Sequence, residues 1–188
     1  TAVRDALNHP WFAGHGYVAA RVDIAGTGES EGLFDDEYSE QELSDGVEVI
    51  NWLAAQDWCS GAVGMTGISW GGFNGLQLAA RAPEALKAVV SICSTADRYA
   101  DDIHYKGGCL LGENAGWAST VFGWFGLPPD PAIQGDAWRD IWLKRLEETP
   151  FLAAEWLRHQ TRDEYWKHGS VCEDFSAIKA AVLAVGGW

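Results

Sequence analysis

The sequence predicts an α/β fold: a mostly parallel sheet flanked by helices, with a helical segment inserted into it. Three observations carry this. Apolar, β-type runs alternate with helix-period runs up to about residue 97. The alternation then stops, and residues 97 to 174 read as helical or irregular, with tryptophans at 117, 124, 138, 142, 156 and 166. A last apolar run, Ala181–Val185, resumes the β pattern.

Residues 3 to 13 read as a helix interrupted by Pro10, and Gly14-His15-Gly16 turns the chain. Residues 17 to 24 are rich in β-favouring types and read as a strand. The glycine loop that follows, Gly26-Thr27-Gly28-Glu29-Ser30-Glu31-Gly32, is not a dinucleotide fingerprint. Its spacing is one residue off, and Glu29 and Glu31 would repel a pyrophosphate. The acidic run Asp35-Asp36-Glu37 reads as loop and opens no helix at the phosphate position.

Ser39 and Glu42 form a capping box for a helix over 40 to 56. Leu43, Val47, Ile50 and Ala54 share its inner face, and Glu48, Asn51 and Ala55 lie opposite. Trp52 and Trp58 flank its end as packing residues. The run at 63 to 66 is a strand that reaches Ser69, and a helix follows to about Arg81, where Pro83 closes the segment. Residues 86 to 93 are a second buried-type strand, ending in Cys93. These spacings argue for parallel βαβ units with helices on both faces of the sheet. In the helical stretch Trp138, Ile141, Trp142 and Leu146 share one face, and Leu127-Pro128-Pro129-Asp130-Pro131 breaks the pattern. Ala181–Val185 reads as a buried strand.

The chain has 188 residues, is 47% hydrophobic and 21% charged, and has room for one domain with a sizeable core. Its net charge of −14 excludes nucleic acid as an expected partner, because phosphate backbones attract basic faces. No apolar run approaches the ~18 residues of a membrane span, so no membrane association is expected. No signal peptide is visible, and a cytoplasmic location is expected. The chain also lacks an initiator methionine and starts inside a helix pattern, which reads as a removed leader or a cut chain. Cys59, Cys93, Cys109 and Cys172 form no C-x-x-C pair and have no histidines at zinc spacing. They read as reduced thiols, and neither a metal nor a cofactor is expected.

The stretch that carries chemistry is Gly67-Ile68-Ser69-Trp70-Gly71. Strand, tight turn and helix with a serine at the corner is the context that gives G-x-S-x-G meaning as a nucleophile elbow. Gly67 and Gly71 lack a Cβ, which lets strand and helix approach around the serine. The backbone N–H of Trp70, at the helix start, is placed to meet a developing oxyanion. The bland alternative is a chance match in a chain with 22 glycines. A serine nucleophile needs a histidine base and an orienting acid, in the chain order serine, acid, histidine. His9 and His15 precede the serine, His159 and His168 sit in the helical stretch, and His104 shows no evident partner; each reads as a solvated or packing histidine.

Taken together, these stretches resemble the X-Pro dipeptidyl-peptidase and cocaine-esterase type (CocE/NonD) hydrolases of the α/β-hydrolase fold. The matching segments are residues 23–32, 51–58 (NWLAAQDW), 64–72 (GMTGISWGG), Ala96-Asp97-Arg98-Tyr99 and 159–166 (HQTRDEYW). The resemblance implies a partial α/β-hydrolase fold with an inserted helical cap, its first strands and last strand absent. It implies that Ser69 acylates and that the Trp70 backbone N–H helps bind the oxyanion, although the family often has tyrosine at that position. It aligns Trp117 with a tryptophan that lines the acyl pocket; cap core is the alternative role. A second oxyanion donor, a tyrosine, is expected before Thr1. The catalytic aspartate is expected within a few residues of a Gly-Gly-Trp such as 186 to 188, and the histidine beyond it. Arginine is common in the family where this chain has Ala25.

The expected division is hydrolase core over 1–97, helical cap over 98–175 and return strand over 176–188. The 188 residues are expected to be a fragment of a longer chain, poorly folded and inactive alone. The expected function is a serine hydrolase cleaving an ester or amide of a small-molecule or peptide substrate, with oligomeric state left open. For a peptidase, Asp101, Asp102 and Glu113 are candidates to hold a free amine, with solvated acids as the alternative. Two other readings stand beside it: a non-catalytic aromatic-rich binding module on a relic hydrolase fold, and a cofactor-free peroxidase.

Overall fold

A computed structural model describes residues 2–187, with side chains from residue 6 onward. Trp188, in the Gly-Gly-Trp expected near a catalytic aspartate, lies outside the described residues. The elements run α1 (Ala2–Gly14), α2 (Glu40–Ala54), β1 (Val63–Ile68), α3 (Trp70–Ala80) and β2 (Leu86–Ile92). A short hairpin follows, β3 (Tyr105–Lys106) with β4 (Cys109–Leu110). Then come α4 (Glu113–Phe125), α5 (Pro131–Gln134), α6 (Trp138–Glu148), α7 (Leu152–Trp156), α8 (Glu164–Lys167) and β5 (Ala181–Val185).

The sheet has the order β1-β2-β5 and is parallel throughout, with Met65 beside Val89 and Val89 beside Val182. Parallel neighbours require crossovers, which α3 and the long helical stretch provide. Helix α3 lies close on β2 because it presents glycines there. A Cβ on Gly75 would sit 2.7 Å from Val89 Cγ1, and one on Gly72 would sit 3.0 Å from the Ile92 carbonyl oxygen. Helix α2 packs on α3 where Gly46 meets Leu78; a Cβ there would be 2.8 Å from the leucine methyls. Leu43 and Ile50 of α2, Leu78 and Ala79 of α3, and Leu86 and Val89 of β2 form one core. A second core, built from Phe34, Tyr105, Val121, Phe125, Trp156 and Trp166, fills the helical stretch.

Several sequence expectations are corrected. Helix α1 is continuous through Pro10; the proline forfeits its own i→i−4 bond and the helix runs past it. Residues 17–24 form no strand, because no described strand pairs with them and an extended segment without a ladder is not sheet. The described helices α2 and α3 share one core and so cover one face of the sheet. On the other face Gly64, Thr66 and Ile68 are exposed, and β5, read as buried, is exposed along its length. Cys93 lies past the end of β2 at φ 51° and is exposed, where a buried strand position was expected. Trp52 and Trp58 are 61% and 53% exposed and pack edge-on with each other rather than into a core. On α6 the buried residue is Arg145, which donates to the carbonyls of Gly28 and Ser30 and so braces the glycine loop.

The glycines yield a discriminating prediction. At Gly67 a Cβ would overlap the Gly71 carbonyl group, whereas at Gly71 nothing lies within 4 Å. In the native gene product, Gly67→Ala is expected to cost more than about 3 kcal/mol, beyond ordinary overpacking, and Gly71→Ala less than about 1 kcal/mol. Urea denaturation of the two variants measures both.

Candidate active site

Strand β1 and helix α3 are joined by one residue, Ser69, at φ 52° and ψ −116°. A non-glycine residue at positive φ is held there only when its surroundings overdetermine it. Its N–H donates to the Ile92 carbonyl at 2.8 Å, and its carbonyl accepts from the Phe73 N–H at 2.9 Å, the first bond of α3. Gly67 makes the turn sterically possible, because the Gly71 backbone occupies the place a Cβ would take. The expected pair of permissive glycines is thus one: Gly71 faces open space. The start of α3 is tied to β2 again by Ser91, whose hydroxyl donates to the Gly72 carbonyl at 3.0 Å and also bonds Ser94. Ser69 is exposed at the carboxyl end of β1, the end of an open α/β sheet at which ligands bind.

Trp70 opens α3, and its indole N–H donates to Glu42 Oε1 at 2.7 Å. The other oxygen of Glu42 accepts the Tyr38 N–H at 2.7 Å. The capping box is therefore half formed: Ser39 Oγ accepts the Glu42 N–H at 3.2 Å, but the glutamate does not fold back to Ser39. Burial pushes the Glu42 carboxyl up to about 7, against the pull of its donors Trp70, Tyr38 and Asn74. Around the Trp70 ring stand Phe34, Tyr38, Phe125 and Trp117, at centroid distances of 5.7, 5.4, 5.9 and 6.1 Å. Of the three sequence candidates, the structure thus places Trp117 against Trp70, which follows Ser69 in the chain. A cavity of about 200 Å³ lies beside Glu42, lined also by Ile24, Leu33, Phe34 and Ser39.

Trp117, on α4, is half-buried, meets Trp124 edge-on, and donates its indole N–H to Glu37 Oε1. Glu37 itself is 2% exposed. Its other oxygen accepts from Arg98 Nη2 at 3.1 Å and meets His104 Nε2 at 2.9 Å. Burial alone would raise the Glu37 carboxyl; the bond and charge of His104, with the charge of Arg98, outweigh it and hold the group below its ordinary value. The Arg98 guanidinium lies over the rings of Tyr38, Trp166 and Tyr165. His104, expected to lack a partner, is fully buried, bonded to Glu37 and through Nδ1 to Asn114 Oδ1 at 2.8 Å. Asp36 accepts from the Tyr165 hydroxyl at 2.6 Å and from the Trp156 indole at 3.3 Å. The sequence offered the acidic run 35–37, which by itself resembles solvated loop, and the segments 96–99 and 159–166, which hold Arg98, Tyr165 and Trp166, but nothing local joined them.

The remaining candidates lie apart. His159 is bonded to Asp163 and Glu155, His168 Nε2 meets the Tyr38 carbonyl, and His15 the Trp11 carbonyl. Among the described residues, no histidine or carboxylate hydrogen-bonds the Ser69 hydroxyl. Asp101 pairs with Lys106, Asp102 accepts the Ile103 N–H, and Glu113 is exposed at the start of α4. No group of three or more metal-ligating side chains is assembled among the described residues, and no described helix is long and apolar enough to cross a membrane.

A family model described as X-Pro dipeptidyl-peptidase (S15 family) matches residues 1–188. A cocaine esterase of Rhodococcus sp. is 28% identical over 200 residues, covering 94% of this chain and 34% of that protein. The structure of a CocE/NonD family hydrolase of Staphylococcus aureus superposes with a TM-score of 0.64 at 25% identity, over 84% of this chain and 24% of that one. An alpha-amino acid ester hydrolase matches at a TM-score of 0.62 and 21% identity, over 88% and 31% of the two chains, and speaks to the fold alone. The chain thus spans about a third or less of these relatives.

Glu37, which is buried, and Glu42, which is half-buried, each yield a prediction. Glu37→Gln leaves Arg98 buried without its counter-charge and is expected to cost about 3–5 kcal/mol of stability in the native gene product, read by urea unfolding. Glu42 acts in the opposite sense. Its folded-state value lies above the unfolded one, so its contribution favours the fold below about pH 4.5 and is lost as pH rises toward 7. Glu42→Gln is therefore expected to gain on the wild type between pH 5 and 8 by at most roughly 3 kcal/mol, as unfolding midpoints at the two pH values will show.

Proposed function

The chain belongs to the X-Pro dipeptidyl-peptidase (S15) family, and from that premise we propose that it carries the nucleophile of a serine hydrolase acting on an ester or amide. The observation that carries the reading is the Ser69 turn. A non-glycine residue at φ 52°, between a parallel strand and a helix, with a glycine that admits no Cβ two residues before it, is the geometry of a nucleophile elbow. In this reading the Ser69 oxygen attacks the carbonyl carbon, and its proton passes to a histidine oriented by an aspartate. The C–O or C–N bond to the leaving group then breaks, and the leaving group takes that proton. Water hydrolyses the acyl ester and restores the serine.

The Trp70 backbone N–H, at the positive end of α3, stabilises the oxyanion. Trp117, with Trp70 beside it, walls an acyl site suited to apolar groups. The helical stretch 98–175 acts as a cap on a core made of 1–97 and 176–188. The histidine and aspartate roles are filled by no described residue at Ser69, so activity is to be sought in the native gene product. Small-molecule esters and X-Pro peptides are the substrate classes, which the names of the relatives support. Four free cysteines suit a reducing, cytoplasmic setting.

The test is labelling of the native gene product with a fluorophosphonate probe, with Ser69→Ala as control. Labelling that the substitution abolishes is the expected result. A folded wild-type protein that takes no label would overturn the reading, and the aromatic surface would then be tested for binding without catalysis.

A further inference from the structure

A glutamate three residues after a serine N-cap ordinarily folds back onto the cap residue's own N–H. Glu42 turns away instead. It accepts from the Tyr38 N–H and, at 2.7 Å, from the indole N–H of Trp70, 28 residues on and next to Ser69 in the chain. The four rings around Trp70 restrict its indole by shape. Among the described residues, only the bond to Glu42 fixes it directionally. Glu42 is half-buried; keeping a carboxyl group partly out of water is unfavourable, and an apolar side chain would serve packing alone as well. The turn it abuts is a demanding one. With Ser69 at positive φ, a small displacement of residue 70 re-aims its N–H, and an oxyanion donor tolerates little misplacement.

We propose that Glu42 is a positioning residue of the Ser69 site: by holding the Trp70 indole it holds the first residue of α3, and with it the backbone N–H assigned to the oxyanion. The inference rests on the hydrolase reading above. Glu42 touches Trp70 and not the reacting atoms, so its effect reaches the chemistry only through that indole.

A double-mutant cycle in the native gene product tests this, with Glu42→Leu and Trp70→Phe read on p-nitrophenyl butyrate hydrolysis and on fluorophosphonate labelling. Trp70→Phe keeps a ring and deletes the indole N–H. Each single variant is expected to lower kcat about ten-fold with KM changed less than about two-fold, and the double variant to be no slower than the slower single. Effects that multiply in the double variant, or a kcat that either substitution leaves unchanged, overturn the proposal. If Glu42→Leu fails to fold, Trp70→Phe decides alone: lowered kcat with an intact melting transition supports the role, and unchanged kcat overturns it. A folded wild-type protein without label at Ser69 removes the hydrolase reading and this role together. A labelled wild type with multiplying effects removes the positioning role alone.

Discussion

Glu37 is the polar hub on which the helical stretch closes. It stands in the loop before α2, and its partners Arg98, His104 and Trp117 all belong to the following helical stretch. A carboxylate taken out of water is tolerated only when its lone pairs are filled and its charge is met, and here one group has two basic partners and an indole donor. The same logic accounts for much of the aromatic content. Arg98 cannot be hydrated where it lies, and its planar cation is covered by Tyr38, Tyr165 and Trp166. Trp156 and Trp166 close over His104. Three of the six tryptophans of the helical stretch, Trp117, Trp156 and Trp166, wall or bond this one polar cluster.

The Ser69 turn is built on a different principle, that of steric necessity. Gly67, Gly72 and Gly75 let α3 settle against β1 and β2, and Ser91 and Ile92 bind the helix start to the neighbouring strand. The turn is thus fixed by backbone contacts, and the indole of Trp70, the residue that follows it, ends on Glu42. Two carboxyl groups five positions apart accept from the indoles of Trp117 and Trp70. The segment 37–42 therefore links a packing problem to the proposed chemistry.

What was legible from sequence follows from the range of the interactions involved. The parallel order and the edges of α2, β1, α3, β2 and β5 rest on local periodicity and caps, and these emerged within a few residues of their expected bounds. The serine corner was legible because strand, glycine and helix are contiguous. Residues 17–24 were not, because a strand is defined by its partner and not by its own composition. Burial was overread in Cys93 and β5, whose apolar character says nothing about whether a described element covers them. Glu37 was hidden for the plainest reason: its partners lie 61 to 80 residues away, and without them three acids in a row look like solvated loop.

The placement of the tryptophans has an optical consequence. Trp156 and Trp166 are fully shielded and lie 4.3 and 5.1 Å from the His104 ring, while Trp52, Trp58 and Trp124 face water. Indole emission shifts to longer wavelength when solvent can relax around the excited dipole, and ionic quenchers reach only exposed rings. The described tryptophans therefore span a shielded pair at the Glu37 cluster, an exposed set on the outer surface, and an intermediate set that includes Trp70 and Trp117. Rupture of the cluster would expose Trp156 and Trp166 to solvent and shift their emission, so the Glu37 cluster can be watched in the native chain without any added label.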